Sequence, residues 1–313
     1  MVALSHKAKQ YGWFALKVFI LSVAFIYIYR KVVLQDIASW GIMVDAVRTK
    51  SFGYLFLFLG ITIANWFFEI KKWQTITTVI KKISFAEAAK QSLAALTVSL
   101  ATPNRIGDYG AKVFYFEKQH RKKIVLLNFV SNAFQLLTTI IFGIAGLFLV
   151  FPKLRIDLPE YKIILGFLIL VLVTFAAYFF RKKEWFIKGF TIKNVWNYFK
   201  NISFSIKLET FSYSIIRYLL FSSQFYFLLQ FFGANISFLE TIPFITSMYL
   251  VVSILPMFIL FDVIVKGSIA VWLLSIININ ETVVLTTVFT MWLLNFILPA
   301  ILGGFYVIKF KKV

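Results

Sequence analysis

The stretch Ile124–Phe151, IVLLNFVSNAFQLLTTIIFGIAGLFLVF, runs for 28 residues without a charged side chain. At about 1.5 Å per residue, a helix of that length exceeds the roughly 30 Å of a bilayer's hydrocarbon core. The surrounding composition fits a chain whose solvent is lipid. Hydrophobic residues make up 60% and charged residues 15%, against about 45–50% and 25% in soluble domains. The mean hydropathy is +0.84. The 33 Lys and Arg outnumber 13 Asp and Glu for a net charge of +20. On a soluble domain that balance points to nucleic acid. Here the basic residues punctuate apolar runs, so the expected partners are the membrane and its anionic lipids, with no nucleic acid.

Other apolar segments extend the pattern. One covers about Tyr11–Tyr29, after a basic start at His6, Lys7 and Lys9 that resembles a signal peptide without a small-residue cleavage site, so a retained first helix is expected. Further spans are predicted at Ser51–Phe68, ending at Glu69, Lys71 and Lys72, then at Ile163–Phe180, Tyr218–Leu239 (entered from about Glu209) and Thr282–Ile308. Two stretches differ. Gln91–Asn104 is charge-free for 14 residues, too short to cross comfortably, and meets Pro103. Thr241–Phe261 is interrupted by Pro256 and followed by Asp262 and Lys266. Both read as hairpins that enter and leave on one side. With both termini cytoplasmic, the basic loops fall inside, apart from the one carrying Arg30, Lys31, Arg48 and Lys50.

The chain also repeats itself. Ile83-Ser84-Phe85-Ala86-Glu87 recurs as Ile236-Ser237-Phe238-Leu239-Glu240, an offset of 236 − 83 = 153 that also relates Pro103 to Pro256. One residue further, at 262 − 108 = 154, Asp108 matches Asp262 and Lys112 matches Lys266. An odd number of predicted spans separates the copies, so they enter the membrane from opposite sides, as in inverted-repeat transporters. The expected fold is an all-α polytopic membrane protein of about six spanning helices plus two opposed re-entrant hairpins. Its organisation is an N-terminal helix and loop (1–50), a first half (51–160, hairpin about 84–117), a linking span with a basic amphipathic inner-surface segment (161–208), and a second half (209–313, hairpin about 237–278).

Thr102-Pro103-Asn104-Arg105-Ile106-Gly107-Asp108-Tyr109-Gly110-Ala111-Lys112 resembles the TPxRxGEx hairpin of the lysylphosphatidylglycerol synthase transmembrane, or flippase-like, family, with Asp108 where that pattern has Glu. Val265-Lys266-Gly267-Ser268 is similar to the family's second hairpin, and Leu298-Pro299-Ala300-Ile301-Leu302-Gly303-Gly304 to its last span. Many relatives carry a Gly-Gly-x-Gly turn before the second charged residue; Leu260-Phe261-Asp262 lacks it. The resemblance runs from about Phe52 to Ile308 and covers the membrane region alone, without an aminoacyl-transfer domain. It implies translocation of an anionic phospholipid or polyprenyl-phosphate-type lipid between leaflets, in a bacterial inner membrane. Two alternatives stand beside it: a non-transporting membrane subunit of an envelope lipid or glycan biosynthesis enzyme, and a membrane-embedded transferase. A homo-oligomer or an envelope-biosynthesis partner fits either setting.

The candidate substrate-binding residues are Arg105, Asp108, Lys112, Asp262, Lys266, Asn104 and Tyr109. Asp108 with Lys112, and Asp262 with Lys266, stand at i,i+4 and can pair on one helix face. Ionisable groups at membrane depth are costly and favour a cavity or each other. The planar fork of Arg105 suits a phosphate, and Asn104 and Tyr109 supply hydrogen bonds or cap the broken helix. Asn128, Asn132, Gln135, Arg217 and Gln224 place polar groups inside apolar helices, as interhelical bonds or as lining of a pathway. Ser84 with Glu87, and Ser237 with Glu240, have capping-box spacing and read as helix starts. Cysteine is absent, and the histidines, His6 and His120, lie in basic flanks. No catalytic residue, metal site or cofactor is therefore expected.

Overall fold

A computed structural model of the chain describes residues 37–100, 102, 106–154, 191–254 and 262–310, together with 15, 18, 22 and 26. Apart from those four positions the predicted first span lies outside the described residues, as do the span at Ile163–Phe180, Pro103, Asn104, Arg105, Pro256 and the side chain of Asp262. The described chain is helical throughout: α1 (Ile37–Thr49), α2 (Gly53–Thr77), α3 (Phe85–Leu100), α4 (Ile106–Val113), α5 (Arg121–Val150), α6 (Ile192–Asn201), α7 (Phe204–Phe231), α8 (Phe238–Ile254), α9 (Asp262–Ser275), α10 (Glu281–Trp292) and α11 (Leu298–Ile308). Among the described residues, three helical stretches are long and apolar enough to cross a membrane: Gly53–Thr77, Lys118–Lys153 and Glu281–Ile308.

Polarity is arranged inside out. Phe148 on α5 is 80% exposed, whereas Lys72 on α2 is 1% exposed. Such a surface suits hydrocarbon, where apolar side chains face outward at no cost and polar ones turn to each other. The chain is an integral membrane protein.

Both matched segments of the sequence start helices at equivalent points, Phe85 and Phe238. In the first, a full capping box forms: the Ser84 N–H donates to Glu87 Oε2 at 2.9 Å and the Glu87 N–H to Ser84 Oγ at 3.2 Å. In the second, the Glu240 N–H donates to Ser237 Oγ at 3.3 Å, while the Glu240 carboxylate lies 3.8 Å from Lys153 Nζ. In each segment the next described helix packs back on the first, α4 on α3 and α9 on α8.

The first helices of the two halves, α2 and α7, lie side by side and antiparallel. Phe58 meets Phe231 near one end, Thr62 meets Gln224, and Thr75 meets Glu209 near the other. The remaining pairings are exchanged between halves: α3 packs on α11, and α8 packs on α5. Close approach at both seams depends on missing side chains. A Cβ at Gly146 of α5 would collide with Thr246 Oγ1 and the Pro243 carbonyl of α8, and one at Gly303 of α11 with the Leu93 carbonyl of α3. At the second seam the Thr97 hydroxyl donates to the Ala300 carbonyl at 2.8 Å.

The last predicted span is one helical rod with a π turn, Leu293–Ile297, between α10 and α11. Its cause is in the sequence. Pro299 has no N–H to offer the carbonyl of Asn295, four residues back, and the Leu298 N–H bonds Leu293 O instead. The freed Asn295 carbonyl accepts a bond from Trp66 Nε1 at 3.2 Å.

Three boundaries differ from the sequence reading. Helix α2 does not stop at Phe68 but continues to Thr77, carrying Glu69 and Lys72 into the interior, because Ile70, Trp73 and Ile76 keep an apolar face going past the charges. Helix α7 starts at Phe204, capped by the Ser203 hydroxyl, ahead of Glu209 and Tyr218. It ends at Phe231, before Gly233 with φ +104°, so Leu239 belongs to α8. Of the basic segment before it, α6 is described; Trp196 and Phe199 stack on one face at 5.7 Å, with Lys200 and Lys207 over the rings.

Candidate functional site: a charged cavity beside an aromatic chamber

The site is built from two charge clusters. Helical spacing puts Glu69 and Lys72 on one face of α2, with Lys72 Nζ 2.9 Å from Glu69 Oε2. The antiparallel packing of α7 brings Arg217 onto the same carboxylate oxygen. The guanidinium also donates to Gln135 Oε1 on α5 at 3.0 Å and, through Nε, to the Asn65 carbonyl on α2 at 3.3 Å. Arg217 thus ties three helices to one buried acid, a task its planar fork of donors suits and an ammonium does not.

The second cluster carries the i,i+4 pair that the sequence suggested. Lys112 Nζ lies 3.0 Å from Asp108 Oδ1, and Asn128 of α5 closes a ring around them. Lys112 donates to Asn128 Oδ1 at 2.9 Å, and Asn128 Nδ2 donates to Asp108 Oδ2 at 2.6 Å. The ammonium also sits 4.5 Å from the ring of Trp73, whose Nε1–H donates to Gln91 Oε1 at 2.8 Å. Each charge has a counter-charge and each amide a partner, which offsets a desolvation penalty on the order of several kcal/mol per buried ion. Tyr109 Oη accepts from Asn132 Nδ2 at 3.2 Å, and the N–H of Gly107 is capped by Thr102 Oγ1 at 2.7 Å.

Both clusters open on a cavity of about 480 Å³, whose walls include Glu69, Lys72, Ser92, Asp108, Asn132 and Arg217. Lys112 stands behind Asp108. Lys72, Lys112 and Arg217 against Glu69 and Asp108 leave a formal surplus of one positive charge among the described residues. The Ser92 hydroxyl, buried in the same wall, has no hydrogen-bond partner among the described residues.

A second cavity of about 390 Å³ adjoins it and is of another kind, lined by Tyr218, Phe225, Tyr249 and Trp292 with Met248 and Met291. Lys266 reaches it, with Nζ 5.6 Å from the ring of Phe296. The two cavities share Asn65, Gln135, Thr139, Arg217, Phe221 and Phe296, so Arg217 stands in the wall between them. An amide chain braces that wall: Asn65 Nδ2 donates to Asn295 Oδ1 at 3.1 Å, Asn295 Nδ2 to Gln224 Oε1 at 2.9 Å, and Gln224 Nε2 to Thr62 Oγ1 at 2.8 Å.

Of the candidate residues, Asp108, Tyr109 and Lys112 come together at the charged cavity and Lys266 falls in the aromatic chamber; Arg105, Asn104 and the Asp262 side chain lie outside the described residues. Arg217, Gln135 and Asn132 line the charged cavity, while Asn128 and Gln224 act as interhelical bonds. Sequence reasoning missed Glu69 and Lys72, taking them for the polar end of a span. The available signal was their opposite charges at i,i+3 with Trp73 and Ile76 resuming the apolar face. No group of three or more His, Asp or Glu converges as a metal site would require among the described residues.

A search of curated proteins finds no match. The family model described as the lysylphosphatidylglycerol synthase TM region matches residues 14–305, taking in the first apolar segment as well as everything from α1 to most of α11. With a polar cavity held between lipid-facing helices and a family match over nearly its whole length, the chain belongs to the lysylphosphatidylglycerol synthase transmembrane-region family.

Proposed function

We propose that this protein translocates an anionic lipid, a phospholipid or a polyprenyl-phosphate-type lipid, between the leaflets of a bacterial inner membrane, and does so without bond chemistry. The observation that carries this reading is the charged cavity: about 480 Å³ between helices with apolar outer faces, with Lys72 and Arg217 gathered on one carboxylate. A phosphate entering there competes with Glu69 for Arg217 and Lys72. One anion replaces another, so the cations never stand alone and the head group exchanges its water for charged donors. The tails stay in the bilayer, and the desolvation of the head group is the barrier being lowered.

The architecture we infer is six spans and two opposed re-entrant hairpins in an inverted repeat, with both termini cytoplasmic. The antiparallel α2–α7 pair and the exchanged seams, α3 on α11 and α8 on α5, support it. In such an arrangement the two hairpins rock alternately, and a ligand held between them is exposed first to one leaflet and then to the other. Asp108, Tyr109 and Lys112 of α4 and Lys266 of α9 are the proposed substrate-binding residues, together with the sequence candidates Asn104, Arg105 and Asp262.

Reconstitution into vesicles carrying a head-group-labelled anionic phospholipid tests the reading through chemical quenching of the outer-leaflet label. Arg217→Ala, checked for a monodisperse, folded state, is expected to slow leaflet exchange at least tenfold. Wild-type protein with no exchange above empty vesicles for either lipid class, or an Arg217→Ala rate equal to wild type, overturns it.

A further inference from the structure

A third cavity, of about 350 Å³, lies at the open end of the first hairpin and takes no part in the charged site. Its walls come from the turn after α2, the first turns of α3 and the segment that follows α4, and they carry Lys81, Lys90, Tyr115 and His120. Two carboxylates also reach it, and both are engaged locally. Glu87 accepts from the Ser84 backbone in the capping box, and Glu117 accepts from Gln119 Nε2 at 2.7 Å. Among the described residues neither acid forms an ion pair with Lys81 or Lys90. Lys90 Nζ rests 5.8 Å from the ring of Tyr115, whose hydroxyl is buried and has no hydrogen-bond partner among the described residues. Arg121, next in sequence after His120 but not part of the wall, donates through Nε to the Phe116 carbonyl at 3.4 Å. The two lysines formally balance the two acids, but with both carboxylates engaged by local donors, Lys81, Lys90 and the orphaned Tyr115 hydroxyl are left as donors facing one cavity, a set that an anion with several oxygens satisfies.

One residue connects this cavity to the charged one. Gln91 lines it, and its Oε1 holds the Nε1–H of Trp73, the ring against which Lys112 rests. A ligand that engages the Gln91 side chain therefore acts one hydrogen bond away from the cluster around Lys112.

We propose that this cavity is a phosphate-monoester binding site that loads the charged cavity, with the Gln91–Trp73 hydrogen bond as the partition between them. The loading role rests on the translocation reading; the binding does not. The phosphate comes either from a lipid head group in the adjacent leaflet or from a soluble phosphate, and the test separates the two.

Equilibrium dialysis of the purified full chain in detergent, with radiolabelled dihexanoyl phosphatidate in one arm and inorganic phosphate in the other, measures binding directly. The Arg217→Gln background removes the charged cavity's contribution and is expected to retain one saturable phosphatidate site. Adding Lys81→Gln and Lys90→Gln is expected to weaken that site at least tenfold, and Gln91→Leu in the otherwise unchanged chain is expected to raise the rate of leaflet exchange in vesicles; an unchanged rate overturns the partition. Equal phosphatidate binding with and without the two lysine changes overturns the site. Binding of inorganic phosphate with no binding of phosphatidate overturns the loading role. Unchanged leaflet exchange in Arg217→Gln, with the lysine-dependent binding intact, sinks the translocation reading and leaves this site standing.

Discussion

The two halves of the chain carry the same Asp-x-x-x-Lys pattern in different surroundings. In the first half, Lys112 is enclosed by Asp108, Asn128 and the face of Trp73, each within contact distance. In the second, Lys266 lines a chamber of aromatic rings and lies over Phe296. The difference comes from the neighbouring helix rather than from the repeat. Helix α5 offers Asn128 and Asn132 to α4, while α10 lines the chamber of Lys266 with Val288, Met291 and Trp292. A duplicated pattern thus yields one compartment walled by ion pairs and one walled mainly by aromatic rings, with Arg217 in the wall between them. Under the proposed function, that asymmetry would offer an amphiphile's phosphate and its first apolar atoms separate places.

Changes that strip charge from the two compartments are expected to have unequal effects. Lys112→Met leaves the partly buried Asp108 with Asn128 as its remaining partner; breaking a fully buried pair costs about 3–5 kcal/mol, which is the upper bound here. A large drop in melting temperature in detergent is the expected outcome; a melt within a degree of wild type breaks the distinction between the halves. Asn128→Leu removes the bridge but leaves the ion pair, which costs about 1–3 kcal/mol, read in the same melt. Lys266→Met, which loses the contact with the Phe296 ring among its interactions, is expected to cost at least about 0.5–2 kcal/mol in stability while slowing leaflet exchange. Were Lys266→Met the more damaging to the melt, the assignment of roles to the two hairpins would be reversed. The smallest effect is expected of Pro299→Ala. Its new N–H competes with Trp66 for the Asn295 carbonyl and shifts stability by about 1 kcal/mol or less, visible as a change in Trp66 fluorescence environment.

Much of this was legible in the sequence because it depends on local spacing. The membrane class follows from runs such as Ile124–Phe151, the helix starts at Phe85 and Phe238 from Ser-x-x-Glu, and the Asp108–Lys112 pair from i,i+4 geometry. What was not legible depends on distant packing. Nothing near Glu69 announces Arg217, which arrives because α2 and α7 run antiparallel over their whole length. A charge at the end of an apolar run ordinarily marks the membrane surface, and that expectation hid Glu69 and Lys72. The aromatic chamber was invisible for a related reason: Tyr218, Tyr249 and Trp292 look like any lipid-facing aromatics until three helices bring them together. The π turn at Asn295 is intermediate, since Pro299 foretells a disturbed helix but not the partner that takes the freed carbonyl.

The central claim is that the cavity between Glu69, Lys72 and Arg217 receives a lipid phosphate. A high-resolution cryo-electron microscopy map of the protein in nanodiscs containing an anionic lipid tests it most directly. The account predicts head-group density inside that cavity, with phosphate oxygens within hydrogen-bond reach, about 2.7–2.9 Å, of Arg217 and Lys72. Lipid density confined to the outer apolar faces of α2, α5 and α11, with the Glu69–Arg217 pair closed and the cavity holding water alone, would contradict it.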